Sequence, residues 1–113
     1  MKLECGKLDI EYFIACSLNL KKNEYSLFEV LLKEKKSITI AEISHRLDLD
    51  RTTVQKSLKI LIARNIIQRY QKNLAHGGYI FTYIVKDKNN VKKHIQSVLK
   101  KWFDNAHNSI ESY

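Results

Sequence analysis

Proline is absent from this chain, and glycine occurs only at Gly6, Gly77 and Gly78. No flexible Gly- or Pro-rich linker can therefore divide the 113 residues, and the sequence predicts one domain over 1–113. Long apolar runs are missing too: none approaches the ~20 residues that span a bilayer. The opening MKLECGKLDIEY carries acids where a signal peptide would be apolar, so a soluble cytoplasmic protein without membrane association is expected. Cysteine is reduced to Cys5 and Cys16, whose separation matches neither a CxxC redox pair nor a zinc-ligand spacing. Buried or semi-buried thiols are the reading preferred over a redox sensor. His45, His76, His94 and His107 are scattered one per predicted element, which argues against a metal site or cofactor built from local sequence. Phosphate-cradling glycine loops and Ser-His-Asp or Cys-His arrangements are not visible, so an enzyme is not expected.

Acidic residues are the minority charge: 12 Asp and Glu face 20 Lys and Arg, a net charge of +8. Such an excess favours a polyanionic partner, because neutralising phosphates releases their counterions. The apolar content of 44% is enough for a genuine core.

Apolar spacing organises the chain into helices and one hairpin. Residues 8–18 are apolar on most sides, which suits a short helix sandwiched between other elements. From about Lys21 to Lys36, Glu24, Leu27, Phe28, Leu31 and Lys35 recur at helical spacing. Thr39 and Glu42 form a capping-box pattern, in which each side chain would satisfy a free backbone N–H, ahead of a helix from Ile40 to Leu47. After the polar turn Asp48-Leu49-Asp50, Asp50 is placed to cap a helix from Arg51 to Arg64, and Asn65 to end it in the left-handed conformation. Ile66–Leu74 and Tyr79–Lys86, rich in β-branched and aromatic residues, flank Ala75-His76-Gly77-Gly78 and read as a hairpin. Val91, Ile95, Val98, Trp102 and Ala106 then mark a long amphipathic C-terminal helix.

A helix, a tight turn, a second helix and a hairpin are the layout of the winged helix-turn-helix, whose helix after the turn enters the major groove. At 100° per residue, Val54, Ser57, Leu58 and Leu61 share an inward face, with Thr52, Lys56, Lys59 and Ala63 opposite and Gln55 on the edge. The outward residues Arg51, Thr52, Thr53, Gln55, Lys56 and Lys59 can reach phosphates through their cations and base edges through Thr and Gln. A merely solvated lysine face is the competing reading. On the hairpin, Arg69, Lys72 and His76 are candidates for the DNA backbone or minor groove, or else keep an exposed hairpin soluble. Tyr79, Phe81 and Tyr83 alternate on one strand face and read as core packing, with a base-stacking platform as the alternative.

These stretches resemble the archaeal winged-helix regulators of the TrmB-like and MarR-like kind. The likeness covers roughly residues 20–104. TIAEISHRLDLDRTTVQKSLKILIARNII is similar to the family's helix-turn-helix, LKKNEYSLFEVLL to its preceding helix, and GGYIFTYIVKD with the long helix to its wing and dimer arm. The resemblance implies transcriptional control by a DNA-binding homodimer, with Arg51, Thr52, Gln55 and Lys56 in DNA-reading positions. Three departures stand out. Lys21 replaces the small or hydroxylated cap of the preceding helix, Asp48 replaces the turn glycine, and no arginine lies at the wing tip beside Gly77 and Gly78. Residues 1–113 hold no counterpart of the sugar-binding domain of full-length TrmB-like regulators, so sugar sensing is not carried over and no small-molecule effector is assigned.

The expectation is thus a mainly α fold with a small β-hairpin: an N-terminal helix in 1–19, a DNA-binding core with its wing in 20–87, and a dimerisation helix in 88–113. Val91, Ile95, Val98, Leu99, Trp102 and Phe103 would pack on a second copy, and two reading helices about one DNA turn, ~34 Å, apart would match an inverted-repeat operator. A weakly specific architectural DNA-binding protein and a winged protein-interaction module are the alternatives.

Overall fold

A computed structural model of the chain describes residues 9–113. The element order is α1 (Ile10–Ser17), α2 (Lys22–Lys33), β1 (Ile38–Thr39), α3 (Ile40–Leu47), α4 (Arg51–Ala63), β2 (Ile67–Asn73), β3 (Tyr79–Val85) and α5 (Lys88–Glu111). Every helix and the hairpin lie where the apolar spacing puts them. The element that the sequence does not announce is β1, which pairs antiparallel with β3 through Ile38 with Tyr83 and Thr39 with Thr82. Two residues are too few for alternation to show. The hairpin therefore becomes a three-stranded sheet in the order β1-β3-β2.

Lys21–Lys88 form one compact unit, and the residues up to Leu20 with Asn89–Tyr113 form another. In Lys21–Lys88, α2 packs on α4 and β3, and α3 packs on α4. Leu27, Phe28 and Leu31 of α2 meet Ile43 of α3 and Val54, Leu58 and Leu61 of α4 in a core where each is at most 2% exposed. Ile38, Ile66, Ile67, Tyr83 and Val85 extend that core beneath the sheet. The inward face of α4 is the one that the helical wheel gives, Ser57 included.

Local caps set the helix boundaries. Lys21 offers no capping side chain, but the Glu24 carboxylate accepts the Lys21 backbone N–H at 3.1 Å, so half of the usual reciprocal arrangement survives. Glu24 is buried and also faces the Arg64 guanidinium at 3.7 Å, tying the start of α2 to the end of α4. Glu24→Ala should cost about 1.5–3 kcal/mol, the usual worth of a hydrogen bond to a charged group. Urea unfolding would measure this, with Glu24→Gln losing less because its amide oxygen still accepts.

The capping box at α3 is also only half made. The Thr39 hydroxyl oxygen accepts the Glu42 N–H at 3.2 Å, but its own hydrogen goes to the Glu42 carboxylate at 3.4 Å, so that side chain meets the hydroxyl and not a backbone N–H. The turn after α3 closes because Asp48 takes the left-handed conformation (φ 52°), which Asp adopts more readily than most residues. The Ser44 hydroxyl donates to the Leu49 carbonyl, and the Leu49 N–H donates back to the Ser44 carbonyl at 3.2 Å. Asn65 ends α4 at φ 61°, as its position implies.

The second unit corrects two expectations. Of α1 only Phe13 is buried, whereas Ile10 and Tyr12 are 55% and 43% exposed, so its apolar residues encircle the helix without all being covered. Cys16 is exposed and not a core thiol, since it lies one turn beyond Tyr12 on the uncovered side. Its thiol hydrogen-bonds with the Tyr12 hydroxyl and raises that hydroxyl above its ordinary pKa. Cys5 lies outside the described residues. Helix α5 runs for 24 residues, about 36 Å. Among the described residues no helix is long and apolar enough to cross a membrane.

Candidate nucleic-acid interface

The outer surface of α4 is a ridge. Arg51, Thr52, Gln55, Lys56 and Lys59 are all exposed along it, and Thr53 is half-buried at its side. None of the three cations forms an ion pair among the described residues. The carboxylates that do pair, Glu24, Glu29, Glu34 and Glu111, serve Arg64, Lys33, Arg46 and His107 instead. The positive charge of the ridge is thus left uncompensated.

Asp50 starts the ridge. Its carboxylate accepts from Thr53, through the hydroxyl and through the backbone N–H at 2.9 Å, and both bonds hold its pKa below the usual carboxylate range. Folding favours the ionised form, so the contribution of Asp50 to stability is complete above the ordinary carboxylate pKa of 3.8 and disappears as pH falls through the lower folded value. Asp50→Ala should accordingly unfold more easily than wild type at neutral pH, and the gap should close in acid. Thermal melts from pH 7 downward check this. A gap that persists below the folded pKa would assign the effect to something other than the carboxylate.

Two grooves flank the ridge. One, of about 390 Å³, is lined by Lys21, Lys22 and Asn23 at the start of α2 and by Thr53, Lys56 and Ser57 of α4, and its one carboxylate, Glu24, is already engaged with Lys21 and Arg64. The other, of about 300 Å³, lies between α4 and the sheet; Gln55, Lys59 and Arg69 supply its polar groups over Leu58, Phe81 and Tyr83. It contains no carboxylate. The six α4 candidates are therefore divided: Arg51 and Thr52 at the tip, Thr53 and Lys56 towards α2, and Gln55 and Lys59 towards the wing. Lys21 and Lys22 were not singled out from the sequence, because lysines at a helix start read as solvated until the fold sets them beside Lys56.

The three wing candidates do not act together. In the β2–β3 register Arg69 lies opposite Tyr83 and Lys72 opposite Ile80, an odd number of residues apart on each strand. Arg69 and Lys72 thus project from opposite faces of the sheet. His76 lies in the exposed turn with Gly77 and Gly78, both at positive φ. The aromatic row is also not uniformly core. Tyr83 is 5% exposed and Tyr79 57%, with Phe81 between them, because the strand runs out from the core to the free end of the hairpin.

On α5, Val91 is buried within the chain, and Ile95 and Val98 are half-buried. Leu99, Trp102, Phe103 and Ile110 are 37%, 43%, 63% and 68% exposed, an apolar stripe without cover in the single chain.

Helix-turn-helix, three-stranded wing and long terminal helix define a winged helix protein of the MarR-like kind. Residues 14–89 match the TrmB family, described as sugar-specific transcriptional regulators, and the chain belongs to that family. A possible transcriptional regulator from Methanosarcina mazei superposes with a TM-score of 0.74 at 32% identity, covering 100% of this chain and 95% of its own. An uncharacterised protein of Methanocaldococcus jannaschii is 32% identical over 100 residues, 88% of this chain and 82% of its own length. At the level of fold alone, a mutant of Staphylococcus aureus MepR bound to an oligodeoxyribonucleotide is similar, with a TM-score of 0.57 at 15% identity over 91% of this chain and 72% of that one.

Proposed function

We propose that this protein is a transcriptional regulator, acting in the cytoplasm, that binds duplex DNA sequence-specifically as a homodimer on an inverted-repeat operator. The observation that carries the reading is the α4 ridge, whose cations lack carboxylate partners and whose two flanking grooves add Lys21 and Lys22 on one side and Arg69 on the other. A helix with side chains is about 10–12 Å across and the major groove about 12 Å wide, so α4 fills it. The phosphate strands on either side then fall along the two cationic grooves, while Thr52 and Gln55 reach base edges, the Gln55 amide pairing with adenine. MepR, seen with an oligodeoxyribonucleotide, shares the fold and supports the same use of it here.

Residues 1–113 work in this reading as one domain, with 20–87 holding the DNA and 88–113 the second copy. The uncovered stripe of Leu99, Trp102 and Phe103, with Ile95 and Val98 beside it, supports the dimer. Light scattering at micromolar concentration should give twice the chain mass, and Trp102→Ala should shift it towards the monomer. A wild-type monomer would overturn the homodimer and its inverted repeat together.

Selection from random duplexes at near-physiological salt tests the reading directly. Enrichment of a two-fold symmetric motif is the expected result. A flat selection overturns operator recognition and leaves the architectural role that a charge of +8 also serves. Binding to duplex no stronger than to an unrelated polyanion overturns DNA recognition altogether.

A further inference from the structure

Arg69 is exposed on β2 and forms no ion pair among the described residues, yet its guanidinium has a fixed neighbour. Its central carbon lies 4.1 Å from the centroid of the Phe81 ring. Phe81 is not the residue directly across the sheet. That is Tyr83, while Phe81 lies opposite Gln71. The arginine therefore leans diagonally, towards the free end of the hairpin, to reach the ring. The ring is itself braced by Tyr79, which meets it edge-on at 5.3 Å with 64° between the planes.

A leucine would fill the half-buried position of Phe81 equally well; what the ring adds is a π-face. Stacking occupies the plane of the guanidinium and leaves its N–H donors free around the rim, where a phosphate oxygen can be met edge-on. Arg69 also lines the same groove as Gln55 and Lys59 of α4. We infer that Phe81 is a positioning residue, holding the Arg69 guanidinium beside α4 so that it grips the phosphate flanking the bases that Gln55 reads. Arg69 thereby extends the α4 surface and is not a contact of the wing tip, where Lys72 and His76 lie. The inference rests on the DNA-binding reading and adds to it a residue that touches no DNA.

Two measurements test it. In the DNA-free protein, ring current from Phe81 should move the NMR signals of the Arg69 side chain upfield, an effect lost in Phe81→Leu and kept in Phe81→Tyr. In duplex titrations, Arg69→Ala should weaken binding by about 10-fold and lower the salt slope by about 1. Phe81→Leu should weaken it by about 3-fold with the slope unchanged, the worth of an exposed cation–π contact. Phe81→Tyr should restore wild-type affinity, and Phe81→Leu should add no further loss once Arg69 is alanine. An equal loss from Phe81→Leu in both backgrounds, or no ring-current shift in wild type, overturns the positioning role. If Lys56→Ala weakens binding and Arg69→Ala does not, this inference falls and the DNA reading stands; wild-type protein indifferent to duplex overturns both.

Discussion

Leu61→Ala is expected to remove about 2–5 kcal/mol of stability, enough to leave much of the protein unfolded at moderate temperature. Leu61 is fully buried, on the face of α4 that carries Val54 and Leu58 against the helical core. Truncating it removes transfer free energy and leaves a cavity that surrounding helices only partly close. Total stability of a small domain is about 5–15 kcal/mol, so one such cavity consumes a large share of it. The check is the urea midpoint followed by circular dichroism, with DNA affinity falling in proportion to the folded fraction. A variant that keeps its midpoint would show that α4 does not depend on this seam.

The opposite outcome is expected a few residues away on the same helix. Lys56→Ala with Lys59→Ala should leave the urea midpoint nearly unchanged, since both side chains are exposed and neither forms an ion pair among the described residues. Duplex affinity should nevertheless fall on the order of 50-fold near 0.1 M salt, and the slope of log affinity against log salt should shrink by about 2, one per phosphate released. The two lysines line different grooves, Lys56 with Lys21 and Lys59 with Arg69. Their single variants should therefore act additively. A loss of affinity with the slope intact would mean that the lysines do not contact phosphate.

What could be read from the residues, and what could not, follows from the range of the forces involved. The α4 wheel, the Asp50 cap and the left-handed Asn65 are set by neighbours within one helical turn, and the sequence displays them directly. The grooves are not local. Lys21 joins Lys56, and Arg69 joins Gln55, only because α2 and the sheet pack on opposite sides of α4, and no spacing rule within one segment contains that. The same holds for β1, where Ile38 and Thr39 become strand only by meeting Tyr83 and Thr82 from the far side of the helix-turn-helix. Aromatic alternation on β3 was legible, but not the gradient of burial along it, since that depends on how far the hairpin reaches past the core. The Glu24 carboxylate stands in the apolar series of α2, and its double duty towards Lys21 and Arg64 appears only once the end of α4 is beside it.

The pairing of β1 with β3 also divides the wing into two regimes of motion. At its base, β3 is held on both edges, by β1 and by β2, and Thr82, Tyr83 and Val85 are buried there. Every residue from Gln71 to Ile80 is exposed, and β2 is the partner of β3 along that stretch. Amide hydrogens near the tip can exchange with solvent by local fraying, while those at the base wait for β1 to detach, which disturbs the start of α3 as well. The wing can thus flex at its end to follow the contour of a duplex while its root keeps time with the helix-turn-helix.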